Sequence, residues 1–305
     1  MQRAMLIFNP VAGKGNLKNN LFKVVDRLTK AGYLVNVYPT QRRGDGRERV
    51  AALSDDVSLL VVSGGDGTLR EIVSGYVENK ALDCPIAYLP AGTTNDFART
   101  LHLSTSLERS LAIACEGEPQ PIDVGQFNGE HFVYIAAFGE FTEVSYCTPQ
   151  VNKSVLGHFA YILEGITQLS QLKKYRCVIE DDTRCFEGEF IFGMICNSDS
   201  VAGMKRRVGP KAELADGYFE ACFVRVPKTL QDLRKIVANL LVGEYDGEQV
   251  VVLRTSHLTV YSREAIRWTL DGEDGGYHET ADIGNLPQAA AIMVRAEDNR
   301  VKEED

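Results

Sequence analysis

An apolar run at residues 57–63 ends in Gly-Gly-Asp-Gly-Thr at 64–68, and this junction limits what the chain can fold into more than any other segment. Branched apolar residues followed at once by glycines indicate a buried strand that enters a tight turn. Glycines let the backbone approach a bound group, with amide N–H groups free to point at phosphate oxygens. The helical pattern from Thr68 adds an N-terminus that favours anions. The junction predicts a phosphate-binding turn, with a glycine turn made for chain geometry alone as the alternative.

Two further junctions have the same form. A strand at 4–8 precedes Asn-Pro-Val-Ala-Gly-Lys-Gly at 9–15, and a strand at 85–89 precedes Pro-Ala-Gly-Thr-Thr-Asn-Asp-Phe at 90–97. Loops that follow successive parallel strands gather at the edge where open α/β sheets bind ligands, so we expect one shared site. The chain has neither the Gly-x-x-x-x-Gly-Lys-Ser/Thr sequence of P-loops nor a dinucleotide fingerprint, which excludes both of these site types.

Four segments together resemble the motif set of the diacylglycerol kinase catalytic family, and the whole chain is similar to the soluble bacterial branch of that family. The segments are Asn-Pro at 9–10 with Gly13, 64–68, 92–97, and Leu-Asp-Gly-Glu at 270–273. The resemblance continues through 144–146, 156–161 and 214–219. NAD kinases share the Gly-Gly-Asp-Gly-Thr element, but the combination of motifs is much more specific.

The resemblance implies an ATP site made by the three loops. Family members commonly carry asparagine where this chain has Arg70, whose guanidinium either contacts phosphate or pairs with Glu71 or Glu78. The implied nucleotide-binding residues are Asn9, Pro10, Val11, Ala12, Gly13, Thr40, Gly65, Asp66, Gly67, Thr68, Leu69, Arg70, Glu71 and Thr93.

Magnesium is the implied metal at the nucleotide. Asp66 follows the glycines, where its carboxylate can contact Mg²⁺ or the waters of the ion. By resemblance, Asp96 and Asp123 complete an acidic network with it. Considered alone, Asp123 is equally well explained as a capped turn at the junction between domains.

A second, structural Mg²⁺ is also implied by the resemblance. Its ligands are the side chain of Asp216 and the backbone carbonyls of Glu213 and Tyr218. Ala215 replaces the first of the two aspartates that are usual in the family. The coordinating position is kept, but nearby charge is lost, so we expect a lower affinity for the ion.

Asp271 is the implied general base, which takes the proton from the hydroxyl of a lipid. A carboxylate can do this if its charge is not fully quenched. Without the resemblance, Asp-Gly at 271–272 indicates only a hairpin turn. Glu273 is a weaker candidate for positioning the base or the metal, and Asp66 is the other catalytic candidate.

Charge and cysteine content restrict the function classes. With 33 Lys and Arg against 42 Asp and Glu, the net charge of −9 argues against general attraction to nucleic acid or to anionic lipid. Basic clusters at 42–43, 173–176 and 205–207 are candidates for contact with an anionic membrane. Seven cysteines without Cys-x-x-Cys indicate free thiols in a reducing cytosol. No signal segment or apolar run of about 20 residues is present, so we expect a soluble, cytoplasmic protein with peripheral membrane contact.

The pattern of elements divides the chain near residue 122. Strands and helices alternate up to that point, which predicts an α/β domain with a parallel sheet. From Asp123 onward, successive short strands with helices only near 155–171 and 228–241 predict a mainly antiparallel β-sandwich. The apolar segment 289–294 is a strand whose sheet the pattern does not assign, and the resemblance implies that the chain returns to the first domain. The expected domains are therefore 1–122 with about 288–305, which binds ATP, and 123–287, which binds lipid.

The expected function is ATP- and Mg²⁺-dependent transfer of a phosphoryl group to the free hydroxyl of a diacylglycerol-like lipid, which gives a phosphatidate. The alternatives are another acceptor, such as a sphingoid base, a polyprenol or another glycerolipid, then an NAD kinase, and last a catalytically silent regulator. The lipid acceptor implies transient contact with a membrane, and a homodimer is a further implication of the resemblance.

Overall fold

The computed structural model describes residues 2–93, 95–101, 103–139, 160, 163, 166, 169–197, 214–242, 245 and 247–296. The chain divides into two compact units, one of residues 1–122 with 288–305 and one of residues 123–287. The motif segments 144–146 and 156–159, the basic cluster 205–207, Glu213 and most of the expected helix at 155–171 lie outside the described residues.

The first unit alternates strands with helices, as predicted. Its elements are β1 (Gln2–Phe8), α1 (Asn16–Lys30), β2 (Tyr33–Pro39), α2 (Asp45–Ala51), β3 (Leu59–Gly64), α3 (Asp66–Glu78), β4 (Ile86–Pro90), α4 (Asp96–Thr100) and α5 (Leu107–Glu116). A short 3-10 turn at Ala12–Gly15 lies between β1 and α1. All six residues of β3 are buried, which explains its unbroken apolar sequence.

The sheet of the first unit is parallel, with strand order β4-β3-β1-β2. The end of the last strand, β13 (Glu273–Val294), adds to β4 in parallel at the pair Ile292 and Ile86. This answers the question that the pattern at 289–294 left open. The core on one face joins the sheet to α1 and α5 through Leu6, Val61, Leu28, Leu111 and Met293.

The second unit is built from antiparallel strands. They are β5 (Glu118–Phe127), whose first five residues belong to the first unit, β6 (Glu130–Phe132), β7 (Ile135–Phe138), β8 (Tyr175–Asp181), β9 (Cys185–Cys196), β10 (Phe219–Arg225), β11 (Val250–Thr255), β12 (His257–Leu270) and the start of β13. One helix, α6 (Leu230–Val242), lies between β10 and β11. The order of the main sheet is β11-β10-β9-β7-β12-β13, and β8 pairs with both β9 and β12.

Alternate residues of these strands enter two different cores. Ala136 and Phe138 belong to an aromatic core around Trp268, whereas Ile135 and Ala137 belong to a core that includes α6. This alternation is the expected period of two residues for a strand that is covered on both faces. The predicted fold class, a parallel α/β domain followed by a mainly antiparallel strand-rich domain, is confirmed.

Several element boundaries differ from the sequence-based prediction. The strand expected at 130–138 is two strands, because the amides of Val133 and Tyr134 bond to the Asp271 side chain. The strands expected at 257–262 and 265–270 are one strand, β12, with a register shift between Tyr261 and Ile266. Strand β5 was not predicted, since Pro119 and Pro121 near its start hide the pattern.

The remaining expectations for the chain concern thiols and membrane spans. The six described cysteines are free thiols. Burial raises the pKa of Cys177 and Cys222 to about 12. Within the described residues, no helix has the length and apolar character needed to cross a membrane.

Candidate active site

The three predicted loops lie against one another at the carboxyl edge of the parallel sheet. Asn9 donates its amide N–H to Ser63 O at 2.9 Å, and Ala91 donates to Gly64 O at 2.8 Å. A Cβ on Gly92 would lie 2.5 Å from the Gly65 Cα, and one on Gly13 would overlap the Ala91 carbonyl. The sequence therefore needs glycine here so that the loops can touch, and the predicted gathering of the loops at one edge is confirmed.

Asp66 is the first residue of α3, and its carboxylate reaches across to the start of α4. It accepts the amide N–H groups of Asp96, at 3.0 Å, and of Phe97, at 3.3 Å. Backbone donors at a helix start are stabilised by an acceptor of this kind. Two carboxylates, Asp66 and Asp96, are consequently held close together at the amino ends of two helices.

The environment of Asp96 disfavours its charge. Burial is the larger cause and the Asp66 carboxylate the second, and together they raise the pKa of Asp96 to about 6. The guanidinium of Arg99, at 3.6 Å, opposes this shift only in part. A cation next to the pair would relieve both the repulsion and the desolvation of the charges.

Two residues that the sequence reasoning did not single out hold the loops in place. Asn95 has a left-handed backbone with φ of 50°. Its side chain accepts from Gly92 N at 2.8 Å and donates to Gly92 O at 2.9 Å. The buried hydroxyl of Tyr88 lies 3.2 Å from Gly64 O and 3.4 Å from Asn95 Oδ1. Asparagine is a common residue at positive φ, so the sequence contained this signal, whereas nothing marked Tyr88.

The other predicted nucleotide residues differ in exposure. Val11 is 81% exposed, while Leu69 is 1% exposed and packs into the core. Thr40 donates its amide to Phe8 O at 2.9 Å, which ties the end of β2 to the end of β1. Pro10, Ala12, Gly67, Thr68 and Arg70 are partly exposed, and Gly13 and Thr93 are exposed.

Glu71 has a structural partner. Its carboxylate accepts the N–H of Gly44 at 2.7 Å and of Gly46 at 3.3 Å, and so satisfies donors at the start of α2. Glu78 pairs with Arg47. The carboxylates of Glu71 and Glu78, which the sequence suggested as ion-pair partners of Arg70, therefore both bind other groups.

In the second unit, Asp271 occupies a two-residue turn between β12 and β13. Asp271 and Gly272 have φ of 51° and 79°, as a type I′ hairpin requires. The Asp271 carboxylate accepts three amide N–H groups, from Val133 at 2.8 Å, Tyr134 at 2.8 Å and Ile135 at 3.0 Å. The predicted turn is confirmed, and the same residue also presents an oriented carboxylate. Glu273 begins β13 opposite Leu270 and is partly exposed.

Asp123 is fully buried and braces the loop at 214–218. Its carboxylate accepts Gly217 N at 2.7 Å and the amide group of Asn285 at 3.3 Å, and its own N–H donates to Leu214 O. These contacts match the alternative in which Asp123 fixes a turn. The side-chain oxygens of Asn197 and Asn285 are buried without a partner in the described part of the chain.

Asp216, the predicted ligand of a structural ion, is engaged by protein groups. One oxygen accepts Tyr218 N at 2.9 Å, and the other lies 2.6 Å from the Arg254 guanidinium. That guanidinium also lies 4.1 Å above the Tyr218 ring. Arg254 thus already supplies positive charge at this position. A cation would have to compete with it, and a structural Mg²⁺ here stays a prediction.

Donor chemistry at the Asp66–Asp96 pair fits Mg²⁺. This ion commonly takes one or two carboxylates and keeps several waters. No group of three or more His, Cys, Asp or Glu side chains suited to a metal occurs among the described residues, so an all-protein cage is not formed there. The contacts of the glycine loops leave no space for a Cβ. Loops without side chains at these positions let a phosphate chain come close to the backbone amide groups.

Comparisons with known proteins agree with this geometry. The family model for the diacylglycerol kinase catalytic domain matches residues 3–127, and the model for the YegS C-terminal NAD kinase beta sandwich-like domain matches residues 144–294. A solved structure of a diacylglycerol kinase from Bacillus anthracis str. Sterne has a TM-score of 0.71 at 22% identity and covers 96% of this chain and 97% of that one. This likeness shows the fold.

Curated relatives show the family. A diacylglycerol kinase of Staphylococcus carnosus (strain TM300) is 36% identical over 289 residues, which are 94% of this chain and 93% of that protein. A diacylglycerol kinase of Staphylococcus epidermidis (strain ATCC 12228 / FDA PCI 1200) is 35% identical over 294 residues, 96% of this chain and 92% of that protein. With this similarity along almost its whole length, and with a catalytic-domain match over the glycine loops, the chain belongs to the diacylglycerol kinase family of lipid kinases.

Proposed function

We propose that the protein transfers the γ-phosphoryl group of ATP to the free hydroxyl of diacylglycerol, with Mg²⁺, and releases ADP and phosphatidic acid. One observation carries the proposal: three glycine loops touch at the carboxyl edge of the sheet, beside two carboxylates at helix starts. Phosphoryl transfer depends mainly on positioning and on charge neutralisation, which such a site supplies.

The loops would bind the phosphate chain of ATP. Amide groups after β1, β3 and β4 offer donors, and the first turn of α3 adds the positive end of a helix dipole. Asn95 and Tyr88 keep the second and third loops in register, so that the donors are placed before the nucleotide arrives. Preorganised donors of this kind stabilise charge without reorganisation during the reaction.

Asp66 and Asp96 would hold Mg²⁺, directly or through water. The ion supplies charge neutralisation at the phosphates when it is bound. The raised pKa of Asp96 supports this assignment, because two close carboxylates are costly without a cation. Asp123, which makes its described contacts within the second unit, is proposed only as an indirect member of the network.

Asp271 would orient the acceptor hydroxyl and receive its proton. Its three backbone donors fix the carboxylate in position. A fixed carboxylate can accept the proton of a hydroxyl that a loose transition state leaves protonated until late. The proposed acceptor is a membrane lipid, so we also propose a cytoplasmic enzyme that contacts the membrane transiently.

Phosphate transfer from labelled ATP to a panel of acceptors in mixed micelles tests the proposal. The panel contains diacylglycerol, a sphingoid base, a polyprenol and NAD, with and without Mg²⁺. The test variant is Asp271→Asn, which keeps a residue tolerant of positive φ but removes the carboxylate. The matched control is Asp274→Asn on the same hairpin, where the exposed carboxylate lies 3.0 Å from the Arg267 guanidinium.

We expect Mg²⁺-dependent label in phosphatidic acid and a fall in kcat of about 10²–10⁴-fold for Asp271→Asn, the usual contribution of a general base. ATP binding should persist in that variant, and Asp274→Asn should behave as the unchanged chain does. Label only in another lipid would replace the acceptor, and label in NAD would replace the activity. Full turnover by Asp271→Asn would reassign the base.

A further inference from the structure

A cleft of ≈ 670 Å³ opens on the second unit, away from the motifs of the candidate site in the sequence. Two segments form most of its wall: the segment that precedes β8, and the connection between β10 and α6. Basic side chains line it at Lys174, Arg225 and Lys228, apolar groups at Leu169 and Val226, and one carboxylate at Glu189. The lining therefore has a net charge of +2, from three basic groups and one carboxylate, although the net charge of the whole chain is −9.

Two of the three basic groups of this cleft make no ion pair with the described part of the chain. Lys174 and Lys228 are exposed, and neither ammonium group forms an ion pair with any described carboxylate. Exposed basic groups that are left unpaired attract anions over a distance set by ionic strength.

Arg225 is held in place as a charged group. Its guanidinium lies 5.0 Å above the Phe190 ring and donates to the carbonyl of Glu187 at 3.2 Å. Gly188 makes room for it, since a Cβ there would overlap the guanidinium. A ring face and a neutral carbonyl orient the group but leave its charge in the cleft.

Apolar groups lie beside these charges. Helix α6 starts two residues after Lys228, and its first residue, Leu230, is 45% exposed. Asp232, the acidic residue of the first turn, is engaged in a capping box: it accepts Thr229 N at 2.9 Å and donates its own N–H to Thr229 Oγ1 at 3.1 Å. Farther along the exposed face, Arg234 and Lys235 add charge and Leu241 is 51% exposed. Basic residues interleaved with exposed leucines are typical of helices that lie at a membrane interface.

We propose that this cleft and the adjoining face of α6 form a docking surface for an anionic phospholipid bilayer. Lys174, Arg225 and Lys228 meet lipid phosphates, and Leu230 enters the interface between headgroups and acyl chains. The inference rests on the proposed function only in that a diacylglycerol acceptor resides in a bilayer. It assigns the membrane contact to a surface built into the second unit.

Sedimentation of the full chain with vesicles tests the surface, in the absence of ATP and diacylglycerol. The vesicles contain phosphatidylcholine alone or a mixture with phosphatidylglycerol, at two salt concentrations. The test variant is Lys174→Gln/Lys228→Gln. The control is Lys80→Gln/Arg263→Gln, which changes the net charge equally at exposed residues outside the cleft. Circular dichroism checks that each variant is folded.

We expect binding to the anionic vesicles only, weakened by salt. The cleft variant should lose about 25-fold in affinity, or about fivefold for each basic residue near an anionic surface. The control should change by less than twofold. Leu230→Gln should weaken binding at both salt concentrations, because its contribution is apolar. Diacylglycerol phosphorylation in detergent micelles should be unchanged in all of these variants.

Equal binding by the cleft variant and the unchanged chain, or equal binding to both kinds of vesicle, would overturn the docking surface. The proposed function fails in a different assay: a chain that binds anionic vesicles but phosphorylates no lipid in micelles refutes the kinase proposal alone. Conversely, phosphorylation in micelles without any binding to vesicles would refute the docking surface alone.

Discussion

Single residues decide how the candidate site is held, and several of them act through the backbone. Asp66 and Asp271 each direct a carboxylate at amide groups of another segment, and Asn95 bonds to Gly92 within its own loop. Sequence motifs could point to Asp66 and Asp271, because their residue types and neighbours are distinctive. They could not reveal which amides these residues bond, since the donors lie 30 and about 137 positions away along the chain.

Tyr88 offers a test of how single side chains position the loops. Tyr88→Phe removes the hydroxyl that contacts Gly64 O and Asn95 Oδ1 and leaves the buried ring in place. We expect a loss of about 1 kcal/mol in the free energy of unfolding, which is typical of one hydrogen bond. If the loops bind ATP, the KM for ATP should rise more than the KM for the lipid.

Urea unfolding and steady-state kinetics measure the two effects of Tyr88→Phe. Tyr76→Phe is the control, since Tyr76 is also buried but lies in α3 away from the loop contacts. An increase in both KM values to the same extent, or none in either, would mean that the Tyr88 hydroxyl does not position the nucleotide loops.

Asp96 gives a prediction about pH. Its pKa in the folded chain, about 6, lies above the usual value of 3.8. The folded chain therefore binds this proton more tightly than the unfolded chain does. The contribution of Asp96 to the free energy of unfolding falls as pH rises from about 4 to about 6, and it stays low above that range.

Mg²⁺ should reverse this penalty where Asp96 is ionised. We expect the ion to raise the melting temperature at pH 7–8 and to lose this effect as the pH falls through about 6. Asp96→Asn should be more stable than the unchanged chain at pH 8 without the ion, and should respond little to Mg²⁺. A stabilisation by Mg²⁺ that is the same at pH 5 and pH 8 would exclude Asp96 from the ion site.

At the scale of elements, the parallel sheet of the first unit could be predicted almost completely from local pattern. β3 and β4 are buried apolar runs that end at glycine or proline, and β1 is an apolar run followed by Asn-Pro, so each of these strands carries its own signal. The second unit was harder, because its boundaries are set by partners. The break between β6 and β7 is produced by Asp271, and the length of β13 is set by pairing at both of its ends.

The contact between glycine loops is a testable property of these elements. Gly92→Ala places a Cβ 2.5 Å from Gly65 Cα and 2.7 Å from Asn95 Oδ1. The loops must separate, at a cost of about 1–3 kcal/mol, as for other overpacked sites. We expect weaker ATP binding in calorimetry together with this loss of stability.

Gly284→Ala is the matched control for the loop variant. An added Cβ there meets only His257, at an ordinary distance of 3.7 Å, and the change should be nearly neutral. If Gly92→Ala bound ATP as the unchanged chain does, close packing of the loops would not be needed for the nucleotide.

At the scale of the whole molecule, the chain crosses between its two units by way of two strands, and neither strand could be assigned from sequence pattern alone. β5 begins in the first unit and continues in the second, and β13 begins in the second and ends in the first. Pattern showed that 289–294 is a strand, but its sheet partner at Ile86 lies far away along the chain and leaves no local mark. The acidic pair at Asp66 and Asp96 could be predicted from motifs. The cleft in the second unit could be predicted only in part, because the basic cluster 173–176 contains Lys174, whereas Arg225 and Lys228 come from a distant part of the chain.

The return of β13 to the first unit predicts that residues 1–122 do not form a stable domain without it. Residues 288–294 add a parallel strand to β4, and Ile292, Met293 and Val294 are at most 8% exposed. Burying three such side chains stabilises a fold by about 5–8 kcal/mol, which is comparable with the whole stability of a typical domain.

A chain cut after Pro287 should therefore lose the cooperative unfolding of its first unit. A chain cut after Ala296, which keeps the strand, should melt as the full chain does. Thermal unfolding followed by circular dichroism compares the two, and equal melting curves would show that the strand is dispensable. Because the ATP-binding loops follow β1, β3 and β4 of the same sheet, the shorter chain should also fail to bind nucleotide, even though every glycine motif remains in its sequence.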